Sequence, residues 1–274
     1  MKTYESDGSQ LSFEESGTGL PVVFLHPTPL DHDYWRPLTE NLAGVRAILP
    51  DLRGHGESEL GTNLPVGAFR AVADAPVLGV GQMATDILAL LNHLELADAV
   101  FAGCSVGGYV LLELWRRAPE RIRGLAFICS KAQPDAEANL PRRFSMIEAA
   151  RAEGTREIFD EMAVTLIGNT ARFRRPAIVG ELRARMNVSV EAFVAVQAGL
   201  ATRPNSLPTI STIQAPVLAI AGGEDHGVTP DEMQAFQSVP GGCEFHLLID
   251  AGHMAAYEQP EKVASLLADW LRYL

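Results

Sequence analysis

Five short apolar runs, PVVFL, RAILP, DAVFAGC, GLAFIC and PVLAIAG, recur along the chain with helical patterns filling much of the space between them. Each run is continuously apolar rather than alternating, as expected of strands buried on both faces. Strands and helices in this rhythm predict a parallel sheet covered on both sides. Ahead of them, KTYES and QLSFEES flank the turn DGS and predict an antiparallel hairpin at the sheet edge. Near the end, CEFHLLI predicts another strand, and QPEKVASLLADWLRYL an amphipathic helix with Pro260 near its first turn. The expected fold class is α/β, a mostly parallel, doubly wound sheet of about eight strands.

Between Gln133 and Ser206 the rhythm breaks. No strand pattern appears there, and helical patterns such as ANLPRRFSMIEAARAEG and TREIFDEMAVTLIG are separated by Gly, Asn and Pro. The division this predicts is a core of residues 1–132 and 207–274 with a helical cap, or lid, of residues 133–206 inserted after the sixth strand. The charge divides at the same place: the insertion carries about +1 and the core about −13.

Composition narrows the partners. The 274-residue chain is 47% hydrophobic and 20% charged, which is ordinary for a globular protein and leaves no tract to expect disordered. A formal charge of −12 argues against nucleic acid or an anionic membrane surface as partner. The N-terminal MKTYESDGSQ has no apolar core of a secretory signal, and no run reaches the roughly 20 apolar residues that span a bilayer. Three scattered cysteines, Cys104, Cys129 and Cys243, have neither metal-ligand spacing nor disulfide density. A cytoplasmic protein with no metal or cofactor is the expectation; oligomeric state is left open.

The chemistry starts at GCSVGG. Gly103, Ser105 and Gly107 form G-x-S-x-G between the strand DAVFAG and the helix YVLLELWRRAPE, the strand–turn–helix context this motif requires. A serine on so sharp a turn is crowded by the residues two before and two after, and glycine at both removes the colliding side chains. The helix then aims its unpaired N–H groups at the serine, the first of them from Val106. A tight Gly-rich turn or a phosphate-binding loop is the alternative, but G-x-G-x-x-G is not matched and no Walker lysine follows Gly108.

A serine hydroxyl needs an adjacent base. Asp225 lies just past the strand PVLAIAG, in GEDHGVTP, and His253 lies past CEFHLLI, in DAGHMAAYEQP. All three candidates therefore leave the same rim of the sheet, in the order Ser, Asp, His that this architecture uses. Asp135 is a competing acid after GLAFIC, Glu224 adjoins Asp225, and Asp250 is expected to cap its own loop. His226 is more simply a surface histidine. Cys104 is expected to pack beneath the turn rather than react.

Five segments in this order, FLHPTPL, PDLRGHGES, GCSVGG, GGEDHGVTP and DAGHMAAYEQP, resemble the α/β-hydrolase fold family over nearly the whole chain. The chain looks closest to single-domain carboxylesterases and to 3-oxoadipate enol-lactonase-like hydrolases. The resemblance implies Ser105 as nucleophile, His253 as base and acid, Asp225 as its orienter, and a small ester or lactone as substrate. It also implies that Asp51 and Arg53 hold loops together. A serine at the turn excludes the dehalogenases and epoxide hydrolases of this fold, which use aspartate. Cofactor-free haloperoxidases or perhydrolases, C–C hydrolases, hydroxynitrile lyases and slow single-turnover ligand receptors stay open, as does a non-catalytic relative.

Relatives usually have His-Gly in the first of these segments, followed by the residue whose amide completes the oxyanion hole. Here Pro27 replaces the glycine. Neither Pro27 nor Pro29 can donate, so Thr28 carries the only amide of the bracketed stretch and joins Val106 as the expected oxyanion donor. The Thr28 hydroxyl is either a second donor or a pocket-facing group. Trp35 and Tyr34 either line the pocket or form the buried face of a first helix. Arg172, Arg174 and Arg175 either attract an anionic substrate or are solvated surface charges.

Overall fold

The computed structural model describes residues 1–67 and 74–274. An eight-stranded sheet runs through it: β1 (Lys2–Ser6), β2 (Ser9–Gly17), β3 (Leu20–Leu25), β4 (Val45–Pro50), β5 (Ala99–Cys104), β6 (Ile122–Ile128), β7 (Val217–Gly222) and β8 (Cys243–Leu248). Their spatial order is β1-β2-β4-β3-β5-β6-β7-β8. A two-residue ladder, Val66–Gly67 with Ala75–Pro76, lies apart from it.

The hairpin β1–β2 closes through Asp7 and Gly8, whose φ values of +48° and +71° suit a two-residue primed turn. β2 meets β4 antiparallel, and every pairing from β4 to β8 is parallel. The chain order reverses between β3 and β5. This switch point is where an open α/β sheet leaves a crevice at its carboxyl edge. Leu25 pairs with Gly103 there, so the loops bearing Thr28 and Ser105 depart side by side.

Two apolar layers sandwich the sheet. Val22 and Phe24 of β3 enter the layer holding Trp35, Leu38 and Trp270; Val23 and Leu25 enter the one holding Met83, Ile87 and Leu111. The period-2 alternation of a strand explains the split. Fully buried Phe101, Phe127 and Leu125 continue the second layer. The segment PDLRGHGES ties the hairpin to the helix Val80–His93. Buried Arg53 donates to both oxygens of Asp86 at 2.8 and 2.7 Å, and to the Ser9 hydroxyl at 2.6 Å.

Between β6 and β7 the chain is helical, without a strand among the described residues: Leu140–Glu153, Arg156–Leu166, Asn169–Arg174, Ile178–Arg185 and Val190–Ala201. The last is buried over most of its length and packs on the first; Leu78 N–H also donates to its Ala195 carbonyl at 2.9 Å. Among the described residues no helix is long and apolar enough to cross a membrane.

Candidate active site

β5 ends at Cys104 and the helix Val106–Arg117 begins two residues later, so Ser105 alone makes the turn, at φ +51° and ψ −115°. A non-glycine residue there costs on the order of 1–3 kcal/mol and persists only when its surroundings enforce it. They do. Ser105 N–H donates to Ile128 O at 3.2 Å, and its carbonyl accepts from Gly108 N–H at 3.0 Å and the Ser130 hydroxyl at 2.8 Å. A Cβ at Gly103 would lie 2.5 Å from the Gly107 carbonyl carbon, and one at Gly107 would lie 2.2 Å from Leu25 O. Both glycines are therefore required by close backbone approach. Val106 N–H opens the helix and meets no protein acceptor among the described residues.

Asp225 and His253 meet as their strand positions predict. His253 Nδ1 lies 2.7 Å from Asp225 Oδ2, both residues being more than nine-tenths buried. The other carboxylate oxygen, Oδ1, accepts from Gly227 N–H at 2.8 Å and Val228 N–H at 2.9 Å. Burial of Asp225 favours its neutral form, but the facing imidazole and these amides outweigh it and hold the carboxyl below the ordinary value. Burial of His253 likewise disfavours its charged form. The charge and hydrogen bond of Asp225 prevail, and the imidazole titrates above the ordinary value.

The His253 loop is fixed by a residue the sequence did not single out. Glu258 accepts from Gly252 N–H at 2.9 Å, Met254 N–H at 3.2 Å and Gly168 N–H at 3.2 Å. His253 N–H donates in turn to Leu166 O at 3.0 Å. The loop after β8 is thereby stitched to the end of the helix Arg156–Leu166. Two of the Glu258 bonds are local, whereas the bond to Gly168 spans 90 positions, and no sequence pattern announces it.

The competing groups are committed elsewhere. Asp135 is shared by Arg143 at 2.6 Å and Arg203 at 3.1 Å. Glu224 accepts from Thr170 N–H at 2.9 Å and its hydroxyl at 2.5 Å. Asp250 takes Arg174 at 2.7 Å. The Cys104 thiol is fully buried beneath the turn, where desolvation raises it far above an ordinary thiol, and it accepts a hydrogen bond from Tyr34 Oη at 3.2 Å. Glu14, His32 and Asp33 also cluster, but Arg36 already bonds both carboxylates.

A cavity of about 570 Å³ opens over this rim, lined by Thr28, Ser105 and His253 from the sheet side and by Met146, Met162 and Leu200 from the helices. Thr28 N–H meets no protein acceptor among the described residues. Its hydroxyl is already engaged, 2.9 Å from His55 Nε2. Trp35 is not on the cavity wall. It is fully buried against Phe24 and Tyr34, ring centroids 5.4 and 4.8 Å away, because the turn His32–Trp35 folds its aromatic face onto the sheet. The expectation that Trp35 lines the pocket is corrected to a core role. Of the three arginines, Arg174 pairs with Asp250 and Arg175 with Glu181, whereas Arg172 lines the cavity. Its guanidinium touches Asn169, and its Nε is buried with no partner among the described residues. His226 lines the cavity as well.

Residues 22–266 match the model of the Alpha/beta hydrolase family. The chain is 33% identical to a thermophilic esterase of Thermogutta terrifontis, whose structure superposes with a TM-score of 0.88 over 99% of this chain and 96% of that one. It is 29% identical over 230 residues to 3-oxoadipate enol-lactonase 2 of Acinetobacter baylyi, covering 78% of this chain and 74% of that one. It is also 27% identical over 266 residues to the putative non-heme bromoperoxidase BpoC of Mycobacterium tuberculosis, covering 92% and 94%.

Proposed function

The chain belongs to the alpha/beta hydrolase family, and from that premise we propose that it hydrolyses a small carboxylic ester or lactone through an acyl-enzyme on Ser105. The observation that carries the proposal is the 2.7 Å contact of His253 Nδ1 with Asp225, at a cavity that Ser105 also lines. With Nδ1–H given to the carboxylate, Nε2 is the nitrogen left with a lone pair. It takes the Ser105 proton as the oxygen attacks the substrate carbonyl, and Asp225 stabilises the imidazolium that forms. The amides of Val106 and Thr28 receive the oxyanion. Collapse expels the alcohol with the proton from His253, and water activated by the same imidazole then releases the acid.

Residues 133–206 act in this scheme as a cap that covers the rim and forms one wall of the substrate pocket. Similarity to an esterase and to an enol-lactonase supports the reaction class. The direct test is a fluorophosphonate, which should label the protein once per chain, at Ser105, and block turnover of an activated ester. Absence of labelling in active protein would remove the acyl-enzyme. Sustained multiple turnover separates a hydrolase from a slow single-turnover receptor of the same fold.

The cavity's charge bears on the substrate. Lys131, Arg142, Arg143 and Arg172 line it against Asp135 and Glu224, on a chain whose net charge is −12. Lys131 is paired with Glu232 and Arg143 with Asp135, while Arg172 has no carboxylate partner among the described ion pairs. A substrate bearing a free carboxylate fits that wall. Arg172→Gln should raise KM about 10-fold for an ester with a free carboxylate, the effect of one lost charge-assisted hydrogen bond. KM for a neutral ester of the same size should stay within about twofold. Equal changes for both esters would return Arg172 to the role of a wall residue.

A further inference from the structure

We propose that His55 is a positioning residue for catalysis, holding the Thr28 hydroxyl so that the Pro27–Thr28 peptide keeps its N–H turned toward the oxyanion. The proposal rests on the assignment of Thr28 N–H as an oxyanion donor, and it names what fixes that donor in place.

Proton bookkeeping around the ring sets the direction of the bond. His55 Nδ1 lies 3.0 Å from the Arg53 carbonyl oxygen, which can only accept. Nδ1 therefore carries the proton, and Nε2, 2.9 Å from Thr28 Oγ1, is the lone-pair nitrogen of a neutral imidazole. Thr28 must donate its hydroxyl hydrogen to His55. It cannot also donate that hydrogen to substrate, which resolves the two roles the sequence left open for this hydroxyl. Complete burial keeps the ring neutral against the opposing charge of Asp51, with the His26 ring edge-on at 5.1 Å.

The other end of the same peptide is held in a parallel way. His26 Nε2 accepts Leu52 N–H at 2.9 Å, which makes its Nδ1 the donor to Pro27 O at 3.1 Å. Leu30 N–H donates to that same oxygen, also at 3.1 Å. Burial and the neighbouring His55 push His26 down to about 3, so this ring too stays neutral across the working range. A trans peptide is planar, with its C=O and N–H pointing in opposite directions. Two donors on the Pro27 carbonyl therefore turn Thr28 N–H away from them, and the His55 bond stops the Thr28 side chain from rotating the unit. Both histidines lean on the segment Leu52–Arg53, which the Arg53–Asp86 pair anchors in the core.

Thr28→Val keeps the amide and the side-chain shape but removes the hydroxyl. Its kcat on a neutral activated ester should fall about 10-fold with KM within twofold, a fraction of the loss that follows removal of a whole oxyanion donor. Affinity for an alkyl boronic acid, which forms a tetrahedral adduct at Ser105, should weaken by a similar factor, while affinity for the product carboxylate is unchanged. Thr28→Ser, which retains the donor, should recover kcat to within about threefold. The proposal is overturned if Thr28→Val keeps its kcat and boronate affinity, even with a lowered melting temperature, because the bond would then be structural only. It is equally overturned if Thr28→Ser is as impaired as Thr28→Val. Fluorophosphonate labelling of the parent protein separates these outcomes from failure of the acyl-enzyme reading: absence of labelling removes the oxyanion itself, whereas labelling with a normal Thr28→Val removes the role of the Thr28–His55 bond.

Discussion

Ser105→Ala should lower kcat for an activated ester by on the order of 10⁴-fold or more and abolish fluorophosphonate labelling. The loss follows from chemistry rather than from folding. Ser105 Oγ has no protein hydrogen-bond partner among the described residues, so its removal leaves no buried group unsatisfied. What holds the turn is backbone: the Ser105 N–H and carbonyl contacts, and the close approaches at Gly103 and Gly107. Alanine keeps all of these and the same strained φ. Its unfolding free energy should therefore lie within about ±0.5 kcal/mol of the parent's, and its melting temperature close to it. Cys104 is no substitute nucleophile, because its thiol is sealed beneath the turn and strongly disfavours ionisation there. A folded Ser105→Ala protein with near-parental turnover would refute the acyl-enzyme.

The parts of this site legible in the chain are those that depend on local geometry. Continuous apolar runs marked the strands, because a strand buried on both faces has no polar position to spare. The spacing Gly103-x-Ser105-x-Gly107 marked the turn, because only glycine tolerates the backbone approaches found there. Asp225 and His253 were legible as residues at the ends of adjacent parallel strands, since parallel pairing puts all such ends on one rim. Contacts between distant segments left no comparable mark. The Glu258 bond to Gly168 across 90 positions, and the Thr28–His55 bond across 27, follow from which loops the fold makes neighbours. Trp35 shows the same limit. An amphipathic turn says that one face is buried, but the strand register decides whether it faces core or cavity, and here Phe24 receives it.

Asp225→Asn should lower kcat about 10⁴-fold with little change in the site's shape, because it inverts the His253 tautomer. Two amides, Gly227 N–H and Val228 N–H, point at Asp225 Oδ1. An asparagine must leave its carbonyl oxygen there to satisfy them, which turns its NH₂ toward His253 Nδ1. Facing a donor, Nδ1 becomes the lone-pair nitrogen, and the proton moves to Nε2, where it blocks acceptance from Ser105. The pH profile adds a second signature. As the proposed base His253 must be neutral, so parental activity should fall as pH drops through its raised pKa, above the ordinary imidazole value of about 6.5. Burial alone would depress that pKa, and the Asp225 charge and hydrogen bond reverse the effect. With the charge gone, desolvation dominates and the acid limb of kcat/KM should shift to lower pH, although the plateau is far lower. An Asp225→Asn protein that kept both its plateau and its acid limb would show that another group orients the imidazole. Asp135, shared between Arg143 and Arg203, and Glu224, committed to Thr170, are poorly placed to be that group.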